Sequence, residues 1–91
     1  MEFNVLKTLQ FGGLLLVLYD WMAFPNATTI NNLYAYNLEG ERLWIAEAKY
    51  PGDFFVGVAE NNGQLIATTW SCFSCLVDPE TGKTIKATFT K

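Results

Sequence analysis

The chain has no histidine, and only two of its 91 residues are cysteine. Histidine is the commonest general base and metal ligand near neutral pH. Its absence removes Ser/His and Cys/His catalytic pairs in their usual form. Cations are also scarce: six Lys and Arg stand against nine Asp and Glu, for a net charge of −3 and a pI of about 4.6. The six are scattered, so there is no basic cluster of the kind that nucleic-acid binding needs. An anionic membrane surface is disfavoured for the same reason. The apolar run 11–24 contains Gly12, Gly13 and Asp20 and falls short of the roughly 20 apolar residues of a spanning helix. It does not read as a signal-peptide core either. The leader 1–10 carries one Lys and one Glu in place of a basic stretch, and no small-x-small cleavage site follows. These absences predict a cytoplasmic chain with no nucleic-acid or membrane partner. The Asn26-Ala27-Thr28 sequon then has no glycosylation role.

What is present is apolar. Hydrophobic residues make up 51% of the sequence, aromatics 15% and charged residues 16%, where about 25% charged is usual for a soluble domain. The length predicts a single domain over 1–91, and a chain of this size buries roughly 60–65% of its unfolded surface. A small domain with this composition has apolar side chains left over, and their outlets are a partner surface or self-association.

Turn signals are dense and evenly spaced: Gly12-Gly13, Pro25-Asn26, Asn31-Asn32, Glu39-Gly40, Pro51-Gly52-Asp53, Asn61-Asn62-Gly63 and Pro79-Glu80-Thr81-Gly82. Asn, Asp and Gly tolerate the positive φ of tight turns, and Pro pre-sets their first position. The runs between are of strand length. They predict strands at 3–9, 13–20, 33–38, 42–48, 54–60, 64–70, 72–78 and 83–90. The first is the weakest, because 2–10 could equally open as a short helix. Residues 14–18 are apolar throughout, and Phe54, Val56 and Val58 alternate with the equally apolar Phe55, Gly57 and Ala59. Both segments therefore read as central or doubly covered strands. In 84–90 the alternation predicts Ile85, Ala87 and Phe89 on a buried face and Thr84, Lys86, Thr88 and Thr90 on a wet one. Short loops between successive strands imply an antiparallel meander. The one long connection, 22–32, reads as an exposed loop.

One phrase is written twice. Leu14-Leu15-Leu16-Val17-Leu18-Tyr19-Asp20-Trp21 leads, after an insert, to Leu33-Tyr34-Ala35-Tyr36-Asn37-Leu38-Glu39-Gly40-Glu41-Arg42-Leu43-Trp44. Gln64-Leu65-Ile66-Ala67-Thr68-Thr69-Trp70 leads to Phe73-Ser74-Cys75-Leu76-Val77-Asp78-Pro79-Glu80-Thr81-Gly82-Lys83-Thr84-Ile85. A repeat period near 40 residues is typical of stacked or radial β-repeats. Repeat one covers about 12–48 and repeat two about 54–90. The strand–turn–strand parts, Asn32 to Trp44 and Leu76 to Lys83, resemble the blade repeat of quinoprotein-type (PQQ-like) β-propellers. In that family a Leu-Tyr-Ala-Leu-Asp strand, an Asp/Glu-Thr-Gly turn and a strand ending in Trp recur. Repeat two has Lys86 or Ala87 at the closing Trp position. The resemblance implies blade-like sheets but no cofactor, since none of the family's quinone ligands maps onto this chain. Propellers close with about four blades or more, and two copies leave faces and edges for another chain.

Few residues suggest chemistry. Cys72-Phe73-Ser74-Cys75 has the spacing of a redox pair or half a zinc site. On a strand, however, positions i and i+3 point to opposite faces, no helix follows to lower a thiol pKa, and zinc wants four ligands. Cys72 and Cys75 are therefore weak metal candidates, and two small apolar strand residues are the simpler reading. Asp78-Pro79-Glu80-Thr81-Gly82 lacks the spaced acidic ladder of a calcium loop and reads as a turn. Asp20, Asp53 and Glu60 read as solvated turn carboxylates rather than a hydrolase pair. Aromatic residues are the remaining concentration, and such residues dominate binding hot spots. Tyr34, Tyr36, Trp44, Trp21 and Trp70 are the candidate interaction residues, with Tyr34 and Tyr36 on one face of a strand and Leu33 and Ala35 on the other.

The expected fold is all-β: an antiparallel meander of seven or eight strands in two blade-like repeats, forming a small sandwich or an incomplete propeller. The expected function is non-enzymatic, a β-repeat interaction module that self-associates or docks on another protein, with no cofactor or catalytic residue. The alternatives are a small-ligand binder or enzyme with a pocket between sheets or subunits, lined by Trp21, Trp44 or Trp70, and a fragment of a longer propeller.

Overall fold

A computed structural model describes residues 5–20, 31–48 and 52–90. The expected strands at 3–4, the loop 22–30 and Trp21 lie outside the described residues. Among the described residues eight strands form, all in antiparallel pairs: β1 Val5–Phe11, β2 Leu14–Tyr19, β3 Leu33–Asn37, β4 Arg42–Ala46, β5 Phe55–Asn61, β6 Gln64–Thr69, β7 Phe73–Val77 and β8 Thr84–Phe89. They make two four-stranded meanders, β1-β2-β3-β4 and β5-β6-β7-β8, which are not closed into a barrel. The helical alternative for the first segment gives way to β1, which pairs with β2 through the backbone groups that face it. Sheet one thus takes in a strand ahead of the 12–48 repeat.

Turn chemistry sets the register. Asn62 and Gly63 both have positive φ, 52° and 79°, the requirement of the two-residue I′ turn that matches strand twist. Asn37 and Asp78 close the two later hairpins alike. Asn37 Oδ1 accepts the Glu39 and Glu41 amides, and Asp78 Oδ1 accepts the Glu80 amide, each at 2.9 Å. Both are side-chain caps that replace missing backbone partners in a tight turn.

Four β-bulges shape the sheets, one in each first and each last hairpin. An extra residue shifts the in/out phase of a strand, and two sequence expectations fail for this reason. In β8 the bulge falls at Ile85, which becomes 64% exposed, while Ala87 keeps the inward face opposite Cys75 and Phe89, on that same face, is 57% exposed because it ends the strand. In β5 the bulge at Val56 lets Phe55 and Val58 both face the core, at 0% and 2% exposure. β5 is an edge strand of its sheet, not a central one. One face of it is covered, against β1 and β2 of the other sheet, while Val56 and Ala59 are exposed, so it is not doubly covered either.

The bulges also align the two sheets. The pair Ala35↔Trp44 sits beside the bulge at Leu43, as the pair Leu76↔Lys86 sits beside the bulge at Ile85. The Gly12-Gly13 and Asn62-Gly63 hairpins and the bulges at Leu6 and Val56 match in the same way. Leu16, Ala35 and Trp44 then correspond to Ile66, Leu76 and Lys86, while Val17, Tyr34 and Tyr36 correspond to Ala67, Cys75 and Val77. Leu16, Ala35 and Trp44 belong to the buried core cluster together with Ala67, Cys75 and Val77. Unlike faces therefore meet: the front of sheet one packs on the back of sheet two, in a head-to-tail stack.

Two polar devices fasten the stack. Asn32, wholly buried, donates from Nδ2 to the Tyr19 and Phe55 carbonyls, both at 2.8 Å, and accepts the Phe55 amide at 3.0 Å. It links β2 to β5 as a backbone partner would, and a buried amide is tolerated because both its ends are satisfied. The second device is Trp44. Its Nε1–H donates to the Pro79 carbonyl at 2.9 Å, and its ring lies where a Cβ on Gly82 would be. Gly82, at φ 77°, is required here both for the left-handed turn and for the indole to approach.

Candidate interaction site

The back of sheet one carries a tyrosine cluster. Strand alternation puts Val17 and Tyr19 of β2 on the same face as Tyr34 and Tyr36 of β3, and Val17 pairs directly with Tyr34. Tyr19 meets Tyr34 edge-on with centroids 4.9 Å apart, and Tyr34 stacks with Tyr36 at 6.3 Å. The Tyr19 and Tyr36 hydroxyls are 2.8 Å apart in a hydrogen bond. Arg42, paired with Tyr36 across the hairpin, places its guanidinium 5.9 Å from the Tyr34 ring centre, within cation–π range. Burial, the Tyr36 hydrogen bond and the neighbouring phenols push the Tyr19 hydroxyl from 10.0 up to about 12. All three phenols are half-buried. Tyrosine and arginine offer wide contact area with polar tips, which suits them to binding surfaces.

The sequence candidates separate here. Tyr34 and Tyr36 share a face as expected and are joined by Tyr19 and Arg42, which sequence reading missed. The signal for Tyr19 lay in β2–β3 register, not in local pattern. Trp44 is 9% exposed and belongs to the joint between the sheets, so it is not available to a partner. Trp70 is 66% exposed and stacks on Phe54 at 5.7 Å, away from the tyrosines.

The chain matches, over residues 1–89, the family described as Domain of unknown function (DUF7957). It belongs to that family. No curated protein matches it.

In this family member the remaining polar candidates are dispersed. Cys72 is not in a strand. It sits at φ 71° just before β7, and its carbonyl receives the Thr90 amide and hydroxyl, both at 2.8 Å. Cys75 is buried on β7, and neither cysteine is in a disulfide. Among the described residues no group of three potential metal ligands occurs. Asp53 is not a solvated turn carboxylate: it is 2% exposed. Its Oδ1 accepts the Phe54 and Ser71 amides at 2.9 and 3.1 Å, while Oδ2 has no partner. Glu60 does cap its own turn, accepting the Gly63 amide at 2.7 Å. A cleft of about 720 Å³ opens between the outer strands, lined by Ile45, Glu47 and Ala48 of one sheet and residues 81–87 of the other. A smaller one of about 500 Å³ lies by Phe11, Leu14, Leu43 and Pro79. Neither Trp44 nor Trp70 lines either cleft. Among the described residues no helix is long and apolar enough to cross a membrane.

Proposed function

We propose that this chain is a non-enzymatic β-repeat interaction module that works by self-association or by docking on another protein. The observation that carries the reading is the Tyr19–Tyr34–Tyr36–Arg42 cluster, a hot-spot composition on the outer face of a sheet. The resemblance to quinoprotein-type blades belongs to the same reading. It is supported by the two four-stranded meanders and by the closing Trp44 of one repeat seated on the glycine turn of the next. Open ends of such a stack also suit a chain that is part of a longer propeller. A cytoplasmic setting accords with two cysteines that are not joined in a disulfide. Sedimentation of the purified protein tests self-association: a single 10.2 kDa species at every concentration removes that half of the reading.

A second reading rests on the cleft of about 720 Å³, whose lining includes the charged residues Glu47 and Lys83. Small-molecule sites commonly measure about 300–1,000 Å³ with a few converging polar groups. Ligands that bind only the folded state raise its melting temperature. A thermal-shift screen with nucleotides, sugars and metals that leaves Tm unmoved discards this alternative.

A further inference from the structure

Head-to-tail stacking leaves two faces that correspond to the two already joined inside the chain. The back of sheet one, with Val17, Tyr34 and Tyr36, corresponds to the surface of sheet two on which sheet one lies. The front of sheet two, with Ile66, Leu76 and Lys86, corresponds to the surface that sheet one presents. An interface between unlike faces can repeat from copy to copy, and it closes into a ring when the rotation permits.

The joint inside the chain also has an unfilled counterpart. Gly82 is covered by the Trp44 ring, whereas a Cβ on Gly40 would meet nothing within 4 Å. Gly40 has the same left-handed conformation, at φ 90°, in a turn that follows an equivalent Asx cap. The residue that corresponds to Trp44 is Lys86, and Gly40 is flanked by Glu39 and Glu41. Where the internal joint sets an indole on a glycine turn, a repeated joint would set an ammonium between two carboxylates. That charge complementarity singles out a second copy of this chain as the occupant.

We propose that copies of this chain assemble head to tail, the Ile66/Leu76/Lys86 face of one on the Tyr34/Tyr36 face of the next. Lys86 of one copy enters over the Gly40 turn between Glu39 and Glu41 of its neighbour. Two copies supply four sheets and four copies eight, the span of about four to eight blades over which β-propellers close. This rests on the self-association half of the proposed function and gives it a direction and a contact.

Sedimentation equilibrium and native mass spectrometry of the full chain, taken up to about 100 µM, cover the dissociation constants of ordinary transient interfaces. The expected mass is two to four times 10.2 kDa. Lys86→Glu places like charges in the contact and is expected to weaken association about tenfold, with Glu39→Lys in the same chain restoring it. Lys86 is exposed, so the folded state tolerates the change. A mixing experiment reads the direction. Leu76→Glu and Tyr34→Glu each abolish the ring, but one of each still forms a mixed dimer through the remaining good pair of faces. A 10.2 kDa species at all concentrations overturns both this arrangement and self-association. An oligomer that ignores Lys86→Glu, or variants that fail to pair on mixing, overturns the arrangement alone.

Discussion

Two Asx-capped glycine turns, one residue different in length, have opposite surroundings. The Gly82 turn of sheet two is roofed by Trp44 of sheet one and gives its Pro79 carbonyl to the indole. The Gly40 turn of sheet one keeps the positive φ of its glycine and an Asx cap but has open space above it. Local sequence builds the turn in both cases, and what sits above it depends on a residue of another sheet. A repeat therefore specifies its own hairpin but leaves its lid to the neighbour, which is how solenoid-like stacks divide stability between unit and interface.

The sharpest break in this comparison is Trp44→Ala. It removes a nearly buried indole, its hydrogen bond and its cover over Gly82. Truncation of buried aromatics costs about 3–5 kcal/mol, a large share of what a domain this small holds. Urea unfolding should show a fall of that order. A loss under about 1 kcal/mol would mean that the seat contributes little to holding the sheets together.

A smaller pair of changes isolates the lid. Gly82→Ala combines a side chain in left-handed backbone with a clash against the Trp44 ring. Backbone strain of about 1 kcal/mol adds to overpacking of about 1–3 kcal/mol. Gly40→Ala meets only the strain, about 1 kcal/mol. Denaturation midpoints should therefore rank wild type above Gly40→Ala and Gly40→Ala above Gly82→Ala. Equal losses would show that the ring moves aside at no cost. In the background of Trp44→Ala the difference between the two glycines should shrink, since contacting residues couple.

Much of the fold was legible in punctuation. Gly12-Gly13, Glu39-Gly40, Asn62-Gly63 and Pro79-Glu80-Thr81-Gly82 each announce a turn, and the strands follow from the intervals. The phase of the strands was less legible. Val56 and Ile85 alternate faultlessly on paper, and the bulges that displace them are set by pairing with β6 and β7, which local pattern does not encode. The tyrosine site was half visible. Tyr34 and Tyr36 are two apart and must share a strand face, but Tyr19 joins them through β2–β3 register. Trp44 misled for the opposite reason. A strand aromatic in so apolar a chain looks like a partner contact until the other sheet arrives over it.

The finest difference between the two sheets is on their backs. Sheet two's back is Ala67, Cys75 and Val77, dry and inside the core, while sheet one's back holds phenols that share a hydrogen bond. Burial first, and the bond to Tyr36 second, raise the Tyr19 hydroxyl from 10.0 to about 12. In the unfolded chain that phenol ionises near 10.0. A raised folded pKa means that stabilisation is complete below the unfolded value and is lost as pH climbs to the folded one. Tyr19's contribution to stability should therefore hold steady up to pH 10.0 and decline towards about 12. Tyr36→Phe removes the hydrogen bond and its field, so Tyr19 should ionise earlier and the decline should shrink. Ultraviolet titration at the phenolate band follows the first effect, and urea midpoints across the same range follow the second. If Tyr36→Phe left the titration in place, Tyr19 would be held by burial alone and the hydroxyl pair would be incidental to this face.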